Sequence, residues 1–485
     1  FVGKKGTIWD GYDGSNMPQL TCTADNVQVR GIEFQNGTRA IAITGHDAKV
    51  VNCRFRGCDD AIWITGNRAN VSNNGIYGEQ GSDYSIEIYG YDAIVRKNKL
   101  SHCYYAGIYV DAMSGGTCTV TENITDSTQD NTTIMVTNAS APKIKKNRLS
   151  YGYMNGACIE VSNSDDAEIC GNKIVAVNYY VIYGIYVTGN NAKVYKNTID
   201  TVNAYDDACY GVYISGNDAN VSKNKIRNCS PGDDDNTYGV YVSGDDAVCE
   251  KNKISDLAGG EGDAYGIYTS GDDASVSKNR FSRLTGEYTY PIECSGDRAV
   301  VSKNGISYYG DGYGIYVSGD DFMVTDNTVK CGAYSAQAIY TSGNATMTAT
   351  ARIENNKVHN IGYDGIYHSG NGCWIRYNDC KYVTGDSYYV SGDNNVVREN
   401  KSRYCQDDAF YISGSGNVVT KCVARDAARD GFDNNGAGNT YDRCKAYDCV
   451  AEGFDNSAGA TSTIVTNSTF RGSRYDYCGN GNVSN

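Results

Sequence analysis

The run Tyr183-Gly184-Ile185-Tyr186-Val187-Thr188-Gly189-Asn190-Asn191-Ala192 returns as Tyr210-Gly211-Val212-Tyr213-Ile214-Ser215-Gly216-Asn217-Asp218-Ala219, and again from Tyr238, Tyr265 and Tyr313. Aligned on the apolar residue after the Gly, weaker copies extend the column from Leu20 and Ile41 through Ile108, Ile267 and Ile366 to Phe410, Phe432, Phe454 and Tyr475. The spacing, roughly 21 to 28 residues, lies in the range of solenoid repeats. In each copy an Ile-Tyr-Val run alternates with period two, a Gly-Asp-Asp or Gly-Asn-Asn turn follows, and a second short strand such as Ala219-Asn220-Val221 comes next. Nothing has helical period. Each copy therefore reads as one coil of a parallel β-helix, stacked on the next at the ~4.8 Å strand spacing. The expectation is an all-β chain of about twenty coils, one domain over residues 1–485, and a rod on the order of 95 Å long.

A further column tests this register. Asn74, Asn98, Asn147, Asn172, Asn197, Asn224, Asn252, Asn279, Asn304, Asn327, Asn356, Asn378 and Asn400 recur two residues before a late apolar position. Stacked amides can hydrogen-bond along the coil axis and satisfy buried turn backbone. Cys53, Cys422 and Cys444 take the same place, where a small buried thiol fits. The 485 residues hold 19 Cys, an odd number, with no CxxC pair, so zinc and haem signatures are absent. Cys422 and Cys444 fall on successive coils at a spacing a disulfide can bridge, and they are the pair expected to form one.

Composition bounds the function. Hydrophobic residues make up 40% of the chain and aromatic residues 11%, enough apolar surface to fold, with no stretch long enough for a membrane span. The net charge of −14 is the wrong sign for a partner of nucleic acid or anionic lipid. The chain begins at Phe1 without a charged and apolar leader, which leaves export open. Phe1-Val2-Gly3 enters directly on coil sequence, and the last coil stops at Asn485 in mid-turn. Such open ends imply either end-to-end pairing with another chain or a piece of a longer one.

The Gly-Ile-Tyr-Val-Ser-Gly-Asp-Asp-Ala and Ser-Lys-Asn-Lys-Ile segments resemble the right-handed parallel β-helix proteins of the pectate-lyase-like superfamily, over essentially the whole chain. The resemblance implies the right-handed fold. It spans polysaccharide lyases, epimerases, hydrolases, tailspikes and adhesins, so function has to be argued from the site.

Three features are candidates for that site. The neighbour of the apolar column points outward and is aromatic at Trp63, Tyr109, Tyr186, Tyr213, Tyr241, Tyr268, Tyr316, Tyr340, Tyr367, Tyr389 and Tyr411. This ladder serves as a sugar-stacking platform, as a seam for neighbouring rods, or as cross-strand reinforcement of the sheet. Acidic turns repeat at Asp245-Asp246, Asp272-Asp273 and Asp320-Asp321, as turn residues or as carboxylates bridged by calcium. A denser acidic group near the C-terminus holds Asp430, Asp433, Asp455 and Asp476, preceded by Asp407, Asp408 and Glu452, and is the expected calcium site.

An enzyme acting on polyuronates needs a group to neutralise the substrate carboxylate, a base and an acid. Tyr363-Asp364-Gly365-Ile366-Tyr367-His368, with Arg376 beyond it, resembles the Tyr-Gly-x-Asp-Pro-His motif of mannuronan C5-epimerases, without its Pro and with Asp displaced. Lys421 among the acidic coils resembles a calcium-and-lysine pectate lyase site. The resemblance thus implies Tyr367, His368, Arg376 and Lys421 as catalytic candidates. Sequons stand at Asn36, Asn70, Asn123, Asn131, Asn138, Asn220, Asn228, Asn344, Asn467 and Asn482. Taken together, the regular coils point to an extracellular or cell-surface β-helix with a structural or binding role, a fibre or appendage subunit that self-associates or binds carbohydrate. The alternative is a secreted lyase or epimerase acting on acidic polysaccharide.

Overall fold

The computed structural model describes the chain except residues 5, 12–16, 79–83, 104, 114, 129–131, 151–155, 176–180, 205–206, 233–234, 333–334, 347–350, 458, 474–477, 480–481 and 484–485. It divides into two compact units, Phe1–Gly244 and Asp245–Asn485. Every named element is a β-strand. Among the described residues no helix is long and apolar enough to cross a membrane.

Both units are built from the same three-strand coil. In the first unit, Val181–Val187, Lys193–Tyr195 and Thr198–Asn203 pair in parallel with Cys209–Ile214, Asn220–Ser222 and Lys225–Ser230 one coil later. In the second, Ala264–Thr269, Ser275–Ser277 and Arg280–Thr285 pair likewise with Thr289–Cys294, Val300–Ser302 and Gly305–Tyr308. These are called the first, second and third strand of a coil. The register is the one the repeats predict: Ile185 lies beside Val212, Ile267 beside Ile292, and Tyr388 beside Phe410. Alternation places one residue in two inside the coil, where Ile185, Val194 and Ile199 are fully buried. From Tyr388 onward the inner column turns aromatic, and Tyr388, Phe410 and Phe432 stack face to face at 4.7 and 4.8 Å.

The corners follow from backbone chemistry. Between the first and second strands the Gly of the repeat lies against the preceding coil, and a Cβ on Gly216 would fall on the carbonyl oxygen of Gly189. Two residues later the chain takes a left-handed conformation, with φ of 57° at Asn191 and Asp218 and 56° at Asp246, which Asn and Asp tolerate best among residues with a side chain. Between the second and third strands a second left-handed corner is held by Lys196, Lys223, Lys251, Lys278 and Lys303.

The next residue is the buried Asn. Asn279 Nδ2 donates to Cys249 O at 2.8 Å and to Asn304 Oδ1 at 3.1 Å, and its backbone N–H donates to the same Oδ1 at 2.9 Å. The pattern repeats along each unit, and in the first it includes Asn123 between Asn98 and Asn147. Asn123 falls outside the column read from the sequence because Thr125, not an apolar residue, lies two positions on.

The expected Cys422–Cys444 bridge does not form. Both thiols are free and buried, and each donates to carbonyl oxygens inside the coil: Cys422 to Val397 and Thr420, Cys444 to Val419 and Asp442. Their side chains take the turn-satisfying role of the Asn they replace. None of the 18 cysteines whose side chains are described forms a disulfide, and 16 are buried.

Candidate functional site

The first sheet carries the aromatic ladder, and the structure adds a second tyrosine column three residues ahead of it. Tyr183, Tyr210 and Tyr238 stack at 4.9–5.0 Å beside Tyr186, Tyr213 and Tyr241 at 5.0–5.2 Å, and the two columns meet edge to face, 5.4 Å between Tyr210 and Tyr213. In the second unit Tyr316, Tyr340 and Tyr367 stack at 4.9–5.1 Å. Rings stacked on one another cover their own faces, so these rings present hydroxyls and edges to solvent and stabilise the sheet. The ladder is not continuous: Glu87 separates Trp63 from Tyr109, and Glu293 separates Tyr268 from Tyr316. It also changes geometry at Tyr389, which stands at 78° to Tyr367 and 86° to Tyr411, so neither of its faces is stacked on a ladder neighbour.

Beside Tyr389 the second tyrosine column gives way to acid. Gln337 occupies the place after Tyr313, and Asp364, Asp386, Asp408, Asp430 and Glu452 continue the position one per coil. One carboxylate oxygen of each Asp is fixed by the coil above: Oδ1 of Asp364, Asp386, Asp408 and Asp430 accepts the backbone N–H of Asp386, Asp408, Asp430 and Glu452 at 2.7–3.0 Å. The other oxygen of Asp364 accepts from Gln337 Nε2 at 3.0 Å; on the later coils the other oxygen is left for a proton, a cation or a ligand. The column beside it changes as well, from Tyr411 to Asp433 and then Asp455 in register.

Two groups of carboxylates converge here. Oxygens of Asp386, Asp407 and Asp408 lie within 4.8 Å of one another, as do those of Asp408, Asp430 and Asp433. Asp408, Asp430 and Asp433 are buried. Burial, reinforced by the neighbouring carboxylates, pushes Asp386 up to about 8 and Asp408 and Asp433 to about 7. Asp430 also rises to about 7, through burial and then its contact with Glu452. Arg429 is the cation at hand, 2.8 Å from Asp407 and 3.7 Å from Asp408. The site is thus short of positive charge in a setting where carboxylates cannot all ionise unaided. An all-oxygen donor set of this density fits a hard divalent cation such as calcium.

The structure brings together Asp430, Asp433 and Asp455 of the expected site, while Asp476 lies outside the described residues. It adds Asp386 as a member beside the expected Asp407 and Asp408, and the signal was present: Asp364, Asp386, Asp408, Asp430 and Glu452 recur every 22 residues.

The catalytic candidates do not assemble. His368 points into the coil, wholly buried, where Thr341 Oγ1 lies 2.8 Å from its Nδ1 and burial lowers its pKa to about 4. Tyr367, its neighbour, faces outward. Arg376 belongs to the second sheet, 2.6 Å from Glu354 and stacked over Trp374 at 4.7 Å. Lys421 holds a left-handed corner and pairs with Glu399 at 3.4 Å, away from the acidic ladder. Alternation and coil geometry separate residues that lie close in sequence.

The acidic turns carry structure. Oδ1 of Asp245, Asp272, Asp297 and Asp320 accepts the backbone N–H of the equivalent residue one coil on, at 2.7–2.9 Å. Of the sequons, Asn123 is fully buried in the amide ladder and cannot carry a glycan in the folded chain. Asn36, Asn228 and Asn467 are exposed; Asn70, Asn138, Asn220 and Asn344 are half-buried. Asn131 and the side chain of Asn482 lie outside the described residues.

With this geometry in place, comparisons with known proteins set the family. Residues 210–351 and 338–482 match the right-handed beta helix region, more than half of the chain. Residues 15–209 match the family described as periplasmic copper-binding protein (NosD). None of the curated proteins matches. Among solved structures, the Dettilon tailspike protein (gp208) is similar at 14% identity and a TM-score of 0.34, over 67% of this chain and 62% of the tailspike. The chain therefore spans less than two thirds of that protein's length. A PL6 family alginate lyase is similar at 9% identity and a TM-score of 0.18, over 94% of this chain and 97% of the lyase. Three-strand parallel coils and a family match over more than half of its length place the chain in the right-handed β-helix family.

Proposed function

We propose that this chain acts outside the cytoplasm as a binding β-helix that holds an acidic saccharide polymer through a hard divalent cation on its first sheet. The observation that supports the reading is the convergence of Asp386, Asp407, Asp408, Asp430 and Asp433 in two groups whose oxygens lie within 4.8 Å. In the ladder one oxygen of each of Asp386, Asp408 and Asp430 is held by backbone, so the other is presented without rearrangement. Calcium there keeps room for ligand oxygens in its flexible coordination shell and neutralises a site that otherwise repels a polyanion. Tyr389, its faces unstacked, supplies an apolar surface beside it for a sugar ring.

A periplasmic or cell-surface location agrees with the description of the NosD family. Cu(I), which favours thiolate and thioether donors, is not an ion this site suits, since both clusters are wholly carboxylate.

The test is retention of the purified chain on immobilised polygalacturonate or alginate, with calcium and with a chelator. Calcium-dependent retention that Asp408→Asn and Asp430→Asn abolish is expected. Retention indifferent to both changes contradicts the proposal. A calcium-dependent rise in unsaturated-uronate absorbance during the same incubation identifies a lyase.

A further inference from the structure

The third sheet of the Asp245–Asn485 unit changes character along its length. The outward column that starts at Ser255, Ser282 and Ser307 continues in register as Lys330, His359, Lys381, Arg403 and Arg425. In the other unit the same column reads Asp126, Ser150, Val175, Asp200 and Arg227. The column two residues ahead of it adds Lys357 and Lys401, on either side of Asp379. Successive coils thus gather Lys330, Lys357, Lys381, Lys401, Arg403 and Arg425 on one face of a chain whose net charge is −14.

Most of these cations have no internal counter-ion. Arg403 pairs with Asp379 at 2.6 Å, whereas Lys330, Lys357, Lys381, Lys401 and Arg425 make no ion pair among the described residues. Lys330, Lys357, Lys401 and Arg425 are exposed. At the edges of the face lie Glu399, held by Arg398 at 3.1 Å and Lys421 at 3.4 Å, and the exposed Asp426. Beyond Arg425 the basic run is broken by Tyr447, with Asp448 beside it. Along one side Tyr382 and Tyr404 stack on each other at 5.2 Å and are 50% and 46% exposed. Lys381 Nζ lies 4.6 Å from the centre of the Tyr382 ring and 5.7 Å from that of Tyr404. Along the other side runs a groove of about 440 Å³ lined by Tyr377, Asp379, Glu399, Lys401, Lys421 and Val423.

We propose that this face is a second contact surface for the acidic saccharide polymer, one that needs no metal ion; it rests on the proposed function for the kind of partner alone. The basic column advances one residue per coil at ~4.8 Å, close to the length of one sugar unit in an extended polymer. Successive carboxylates of such a polymer therefore meet successive side chains when it lies along the direction in which the coils stack. From Lys330 to Arg425 it covers about 20 Å, the length of a short oligosaccharide. The groove and the flanking tyrosines supply what a bare row of charges lacks, mixed donors and acceptors for hydroxyl groups and apolar edges for sugar rings. Duplex DNA carries one charge per ~1.7 Å of axis, about three per coil, more than these cations match. A lipid surface does not enter a groove.

Binding of soluble, fluorescently labelled polygalacturonate to the 485-residue chain in excess chelator tests the proposal. Binding at about 50 mM salt that weakens on the order of tenfold at about 200 mM is expected, and the exposed triple change Lys357→Gln, Lys401→Gln, Arg425→Gln is expected to weaken it by a similar factor. The matched change Lys253→Gln, Lys278→Gln, Lys303→Gln alters net charge equally on coils outside the face. It is expected to retain binding, as is Asp408→Asn with Asp430→Asn. No binding in chelator, an equal loss in both triple variants, or binding that the first of them retains overturns the proposal. So does equally tight binding of single-stranded DNA or of phosphatidylglycerol vesicles, which makes the face a general polyanion surface. At the higher salt this face is screened, so the calcium-dependent retention on the first sheet is read without it. Failure of that retention leaves this face standing, and failure here leaves the calcium site standing.

Discussion

Each interior asparagine does the work of several turn residues at once. Asn279 donates twice through its amide, to Cys249 O and Asn304 Oδ1, and its own Oδ1 accepts from Asn252 at 2.8 Å. Removing it takes the side-chain partner from two buried backbone groups of the preceding coil, Asn252 N–H and Cys249 O. Asn279→Ala is therefore expected to lower unfolding free energy by about 3 kcal/mol, read as a shift in denaturant midpoint; a change under about 1 kcal/mol contradicts the ladder's role. Glu293 shows the opposite economy, a carboxyl set among tyrosines. Burial first, and then Asp263, push it up to about 7. An unfolded Glu titrates near 4.3. Between these values the folded chain holds a proton that the unfolded chain has lost, so this group's contribution is full below about 4 and disappears as pH rises through 7. Glu293→Gln is expected to raise the melting temperature at pH 8 and leave it nearly unchanged at pH 4. Equal effects at both pH values contradict the assignment.

At the scale of the strand and corner, the repeat was legible because its period-two alternation and Gly-Asp-Asp turn are both local. The inner column from Leu20 to Phe454 and the outward aromatics were placed correctly, since alternation alone decides which way a side chain points. What the sequence hides is which residues of different strands face one another. His368 and Tyr367 are adjacent in sequence and lie on opposite sides of the sheet, and Arg376 belongs to another sheet altogether. The acidic ladder was half legible: Asp430 and Asp433 stood out by density, whereas Asp364 and Asp386 required the coil register. Gly216 and Tyr213 test this scale. Gly216→Ala drives a methyl into the Gly189 carbonyl and is expected to destabilise by about 3 kcal/mol or prevent folding. Tyr213→Phe keeps the stack and is expected to be nearly neutral, while Tyr213→Ala costs about 2 kcal/mol, both read by denaturant unfolding.

Over the whole molecule, stability is shared between stacked coils, and the thiols take part as filler. In denaturant without reductant all 19 thiols are expected to react with a thiol reagent, and in the native state only a small fraction. A denatured count short by a pair reveals a disulfide. Coils stiffened in this way give the carboxylates of Asp386, Asp407, Asp408, Asp430 and Asp433 a fixed spacing, and that spacing is the basis of the proposed function. Calorimetric titration of calcium into the 485-residue chain is the sharpest test. Saturable binding accompanied by release of protons is expected, because carboxyls raised to about 7 and 8 must ionise to bind, and so is loss of that binding in Asp408→Asn with Asp430→Asn. Heats and proton release that are the same in the wild type and the double variant would contradict it.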